Sequence, residues 1–172
     1  MEPAPRNDVF ACKEAEALVN AVNCVGIMGR GLAVKFKKAF PDNFKIYAEV
    51  CKKGEMRLGQ VLVHDRHGNF DLFTAPENPR WIINFPTKMH WRSKSCIEYI
   101  ETGLESLVEA IRSRGMRSVA VPALGCGLGG LDWRKVRPRI ERAFDALPEV
   151  RVYLCEPGRD EPESTPGTMA PP

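Results

Sequence analysis

The chain carries two glycine-rich segments, VNAVNCVGIMGRG from Val19 to Gly31 and VPALGCGLGGLDW from Val121 to Trp133. Each runs from a short apolar stretch through glycines into an amphipathic helical pattern. This order of strand, glycine loop and helix restricts the chain to folds that gather loops at strand ends. It also turns backbone N–H groups toward an anion, and the helix N-terminus adds partial positive charge. Two such loops on a chain of 172 residues point to a diphosphate held between them.

Strands and helices alternate along the rest of the sequence. Ala17–Val22, Gln60–His64, Trp81–Phe85, Ser118–Val121 and Val150–Leu154 have the composition of strands. His67-Gly68-Asn69 predicts a turn and Phe70–Thr74 the return strand of a hairpin. Pro86 is expected to end the strand before it. Leu32–Ala39 predicts a helix stopped by Pro41. Ser95 with Glu98 forms a capping-box pattern before a helix reaching about Arg114. Ile97, Ile100, Leu104, Leu107, Val108 and Ile111 share one face of that helix, and Gly115 is placed to cap it. Asp132 is placed to cap a helix over Trp133–Leu147. This alternation predicts an α/β fold with a mostly parallel sheet, whose ligands sit at the carboxyl ends of the strands. Met1–Arg6 is expected to be loose. Pro157–Pro172, rich in proline and charge, is expected to be a disordered tail.

Composition excludes several classes. No apolar run approaches the ~18 residues of a membrane span, and MEPAPRNDVF lacks the basic-then-apolar order of a secretory leader. The net charge of +3 permits a nucleic-acid partner without arguing for one. The six cysteines form no CxxC pair and no zinc spacing with the three histidines, so no metal or redox cofactor is expected. Buried thiols in a reducing cytoplasm are the expectation. Cys24 and Cys126, in the glycine loops, remain open as nucleophiles. Neither loop matches the P-loop pattern G-x-x-x-x-G-K-[ST]. Gly125, Gly127 and Gly130 do space as GxGxxG, but too late in the chain for a dinucleotide-binding βαβ unit.

Taken together, NDVF (Asn7–Phe10), VNAVNCVGIMGRGLAVKFKKAFP (Val19–Pro41), INFPTKMHWR (Ile83–Arg92) and PALGCGLGGLDW (Pro122–Trp133) resemble the macrodomains, which are ADP-ribose-binding modules. The nearer likeness is to the DarG-type branch, antitoxins that strip ADP-ribose from thymidine bases in DNA. A branch acting on acidic protein side chains is similar but more distant. The resemblance implies one macrodomain over residues 1–156, a three-layer α/β/α sandwich with a mixed, mostly parallel central sheet. It implies a cytoplasmic monomer, whose partners are ADP-ribosylated single-stranded DNA or protein and an ADP-ribosyltransferase toxin.

The same resemblance assigns roles. Asp8 and Val9 match the adenine contact, and Asn23 matches the distal-ribose contact. Gly26, Ile27, Met28, Gly29 and Gly31 match the first phosphate loop. Gly125, Cys126, Gly127, Leu128 and Gly129 match the second. Pro86 and Thr87 flank Lys88, which matches the catalytic lysine of the DarG-type branch. Gly129 stands where the protein-directed branch carries an acidic catalytic residue.

Each residue also has an ordinary reading. Asp8 suits a turn, Asn20 and Asn23 suit strand-end backbone caps, and Lys88 suits a solvated surface position. His90, Trp91 and Arg92 suit either contact with nucleic acid or closure of a surface loop. Tyr47, Trp81, Tyr99 and Trp133 suit packing. Three functions are therefore weighed: an ADP-ribosyl glycohydrolase, a reader that binds ADP-ribose without turnover, and a nucleic-acid-binding domain. In the first, Lys88 acts on the opened ribose as an amine nucleophile, through a Schiff base, or as a proton donor and electrostatic stabiliser of the leaving base, and a cation such as Arg92 would help to free the amine.

Overall fold

The computed structural model describes residues 1–68 and 78–158. The return strand expected at Phe70–Thr74, and the expected tail from residue 159 onward, lie outside them. Six strands make one sheet: β1 (Glu2–Pro3), β2 (Ala17–Asn23), β3 (Leu62–Asp65), β4 (Trp81–Lys88), β5 (Ser118–Val121) and β6 (Arg151–Leu154). Their spatial order is β1-β6-β5-β2-β4-β3. All neighbours are parallel except β3, which runs antiparallel to β4 at one edge. The sheet is thus mixed and mostly parallel, as expected.

The alternation of side chains along each strand divides the core into two layers. Val19, Ile83, Phe85, Val119, Val121, Val152 and Leu154 face one way, onto α3 (Ile97–Ser113) and α4 (Trp133–Phe144). Leu18, Ile82, Ala120 and Tyr153 face the other way, toward α1 (Gly31–Ala39) and its Phe36. Farther along that second face, Val22 packs with Met28, Met56 and Tyr47 of α2 (Pro41–Lys52). Burial on both faces explains why these strands have near-continuous apolar sequences. The result is an α/β/α sandwich.

Several expectations need correction. Met1–Arg6 is not loose. Glu2 and Pro3 pair with Tyr153 and Leu154 as the edge strand β1, and Ala4 N–H donates to Leu154 O (3.0 Å). Pro41 ends α1 but also opens α2 at its first turn, where a missing N–H costs nothing. Pro86 does not end β4, which continues to Lys88. β3 reaches only as far as Asn84, so that flank of β4 has no partner strand at Pro86. Ser95 is not a cap: the N-cap of α3 is Cys96, with no side-chain cap bond. The C-cap expectation holds, with Gly115 N–H on Arg112 O and Met116 N–H on Ile111 O, both at 3.1 Å. Asp132 caps α4 by accepting from Arg134 N–H at 2.9 Å. Among the described residues no helix is long and apolar enough to cross a membrane.

Candidate functional site

Because β6, β5, β2 and β4 are neighbours running parallel, their carboxyl ends lie side by side. Four functional segments leave from that edge or meet it. The first glycine loop follows β2, the second follows β5, and the segment bearing Lys88 ends β4. At the far end, the Asn7 amide donates to Glu156 O (2.9 Å) and its Oδ1 accepts from Glu156 N–H (2.6 Å). This pins the turn carrying Asp8 and Val9 beside the end of β6. The sequence-predicted residues thus gather along one sheet edge, with Asp8 toward one end and Lys88 toward the other.

Asn23 and Lys88 are cross-strand partners, placed opposite one another by a bulge after Val22. Lys88 is only 9% exposed, and its Nζ donates to Trp91 O (3.1 Å). Burial pushes its ammonium below the ordinary lysine range, and the charge of Lys94 adds to the effect. The cation that assists is therefore Lys94. Arg92, the expected candidate, lies with its guanidinium 4.5 Å from the Trp91 ring centroid. Thr87 is buried behind the lysine, its hydroxyl donating to Val22 O (3.4 Å).

The Asn23 side chain fastens the first loop. Its Nδ2 donates to Ile27 O (2.7 Å), while Oδ1 accepts from Val25 N–H (3.0 Å) and the Tyr47 hydroxyl (2.9 Å). Tyr47 also reaches Asn23 O (2.8 Å). Met28 turns inward and is buried, whereas Ile27 stays exposed. Gly26 adopts φ +84°, and a Cβ there would press on Cys51 Cβ at 3.3 Å. Asn20, expected to bond loop backbone, instead donates to Asn84 Oδ1 (3.2 Å), and Asn84 donates to Asn43 Oδ1 (2.7 Å) inside the core. The ordinary reading of Asp8 also has a place: its Oδ1 accepts from Phe10 N–H (3.0 Å).

The second loop is held by backbone bonds, two of its own and one from Ser95. Leu131 N–H reaches Gly125 O, Gly130 N–H reaches Gly127 O and Ser95 N–H reaches Gly129 O, each at 3.0 Å. A Cβ at Gly129 would collide with Gly125 O and Ser95 Oγ. No side chain, acidic or otherwise, fits at 129 in this backbone. Gly127 has open space where its Cβ would be. Burial, with Asp132 assisting, pushes the Cys126 thiol up to about 11, and burial beside Cys51 pushes Cys24 up to about 11. Burial thus disfavours the thiolate at both positions, which argues against either cysteine as the nucleophile.

Sequence reasoning missed two supports of the site. Tyr47, read as packing, also holds Asn23. Ser95, read as a cap, is drawn under the second loop. The Asn43 and Tyr47 spacing after a proline at the first helical turn was the available signal for α2 and hence for Tyr47.

Comparison with known proteins agrees with this geometry. The Macro domain family profile matches residues 19–140. A Thermus aquaticus protein named DNA ADP-ribosyl glycohydrolase is 48% identical over 143 residues, covering 83% of this chain. The chain spans only 38% of that relative's length. The macrodomain of Mycobacterium tuberculosis DarG superposes with a TM-score of 0.83 at 44% identity, covering 92% of this chain and 99% of that one. Thermosipho africanus DarTG in complex with ADP-ribose gives a TM-score of 0.73 at 42% identity, covering 86% of this chain and 39% of the other. A paired-loop sheet edge, a sandwich of the same layers and a family match over most of the chain lead to one assignment: this protein belongs to the macrodomain family.

Proposed function

We propose that the chain binds ADP-ribose along this sheet edge and hydrolyses its bond to a modified DNA base, with Lys88 as the catalytic residue. Adenine lies at Asp8 and Val9. The diphosphate spans Gly26–Gly31 and Gly125–Gly129, beside Pro86 and Thr87, and the distal ribose lies against Asn23 and Lys88. The observation that carries this reading is a buried lysine paired across the strands with Asn23, its ammonium destabilised by burial and by Lys94. The related proteins named DNA ADP-ribosyl glycohydrolase and DarTG with ADP-ribose support the ligand and the reaction class.

A destabilised ammonium yields the neutral amine more readily, and the neutral amine is what the nucleophilic role requires. The neutral amine attacks the anomeric carbon of the distal ribose. The bond from that carbon to the base breaks, and the departing base takes up the proton that the newly alkylated amine sheds. Water then releases ADP-ribose and restores the amine. The absence of room for a side chain at Gly129 argues against a mechanism that needs an acid in this loop. An activity that erases ADP-ribose presupposes one that writes it, so an ADP-ribosyltransferase is the proposed partner.

The test is turnover of ADP-ribosylated single-stranded DNA alongside ADP-ribosylated protein. Lys88→Ala is expected to slow release from DNA by ~10²–10⁴-fold. Lys88→Arg is expected not to restore it, because guanidinium stays protonated. Since the active form is the neutral amine, the rate should rise with pH and level off below the ordinary lysine range. Release by Lys88→Ala at the wild-type rate would overturn the lysine mechanism. Binding of ADP-ribose with no turnover on either substrate would make the protein a reader.

A further inference from the structure

The segment between β4 and α3 is fastened to both glycine loops. Cys24 N–H, in the first loop, donates to Met89 O (3.0 Å), and Ser95 N–H donates to Gly129 O of the second (3.0 Å). Between these ties Lys88 Nζ meets Trp91 O (3.1 Å). The side chains of this strap are thereby held at the mouth of the site. Trp91 nevertheless remains 42% exposed. Its ring stacks on His90 with centroids 5.2 Å apart, and the Arg92 guanidinium lies 4.5 Å from its centroid. Arg92 N–H donates to His90 Nδ1 (3.2 Å), which closes the arrangement.

The charged residues within the segments that carry the two loops and this strap are all basic, with Asp132 just past the second loop. Residues 17–41, 78–97 and 118–131, which supply the two loops and the strap, contain no aspartate or glutamate. Arg92 and Lys94 form no ion pair among the described residues, and Lys94 lies along the second loop, its Nζ 3.4 Å from where a Gly130 Cβ would be. The same three segments hold Val25, Ile27, Met89, Trp91 and Leu128, five of the seven exposed large hydrophobic residues among the described residues. Exposed apolar side chains concentrated on the loops and strap at the strand ends mark a contact face. Flat apolar surface interleaved with unpaired cations matches a repeat of base and phosphate. A peptide offers no ring at each step.

We propose that the Trp91–Arg92 pair is a specificity-determining platform on which an unpaired base next to the modified nucleotide stacks. This rests on the DNA reading of the same site. In a duplex the face of that base is covered by its neighbours, so the platform selects a nucleotide held within a single strand.

The test compares an ADP-ribosylated thymidine within a short single-stranded oligonucleotide with the ADP-ribosylated nucleoside alone. Loss of one base stack is expected to lower the oligonucleotide-to-nucleoside ratio of kcat/KM about 5- to 150-fold in Trp91→Ala. Trp91→Phe, which keeps a ring, should retain most of the ratio. An unchanged ratio in Trp91→Ala overturns the proposal. If the wild type turns over neither substrate, titration of tryptophan fluorescence with unmodified oligothymidine at low salt decides instead. Quenching in the wild type that is lost in Trp91→Phe supports the platform. No quenching in the wild type, quenching that persists in Trp91→Phe, or equal quenching by a duplex or an acidic peptide overturns it.

Discussion

The two glycine loops present the same kind of surface yet are held in opposite ways. The first hangs on side chains: Asn23 ties its backbone through three bonds, and Tyr47 holds Asn23 from α2. The second is closed by its own backbone and by the lack of side chains, with Gly129 seated where any Cβ would collide. One loop is thus vulnerable to deleting atoms and the other to adding them. An anion site needs N–H groups fixed in direction, and either kind of support supplies that.

Three substitutions test this contrast, and the effect should shrink from one to the next. Gly127→Glu adds an acidic side chain to the second loop at a position whose Cβ meets no protein atom within 4 Å. The protein should fold, and repulsion of the diphosphate should weaken ADP-ribose binding on the order of 100-fold. Undiminished affinity by calorimetry, with an unchanged melting temperature, would remove the diphosphate from this loop.

Asn23→Ala comes next. It strands the Ile27 carbonyl and the N–H of Val25, at a cost of roughly 1–3 kcal/mol. Sequence alone suggested that this residue positions the distal ribose and spares ADP. Its internal bonds now predict that ADP and ADP-ribose lose affinity together, because the whole phosphate loop loosens. A loss confined to ADP-ribose would return Asn23 to a purely ribose-directed role. Tyr47→Phe should have the smallest effect. It removes one hydroxyl and leaves the ring packed, at a cost of about 1 kcal/mol in chemical denaturation. A larger loss than that of Asn23→Ala would show that α2, and not the asparagine, carries the first loop.

The strand, loop and helix units were legible because their signals are local. Apolar runs, glycines and an aspartate cap stood at fixed spacing, and Ser118–Val121 needed no adjustment. What stayed hidden depended on partners far along the chain. Glu2–Pro3 is a strand only because Leu154 and its neighbours accept it. Pro86 sits within a strand because β3 stops short. Ser95 fits the capping pattern, but its N–H is drawn to Gly129 across the site. The assembly of Lys88, Asn23 and both loops was expected from motif resemblance. Its supports, Tyr47, Ser95 and Lys94, carry no motif and appear only once the strands are side by side.

The packing of Ser95 against Gly129 also constrains the order of evolutionary change. The Ser95 hydroxyl is buried without a partner, and it occupies part of the volume that a side chain at 129 would need. An acid gained at 129 alone would distort the second loop before it contributed any chemistry, so the single step is expected to cost stability. Shrinking residue 95 addresses only one of the two collisions, because Gly125 O must also move. A lineage with this backbone therefore reaches acid-dependent catalysis through at least two coupled changes, the first of which brings no catalytic gain. A buried hydroxyl can in this way help keep position 129 a glycine.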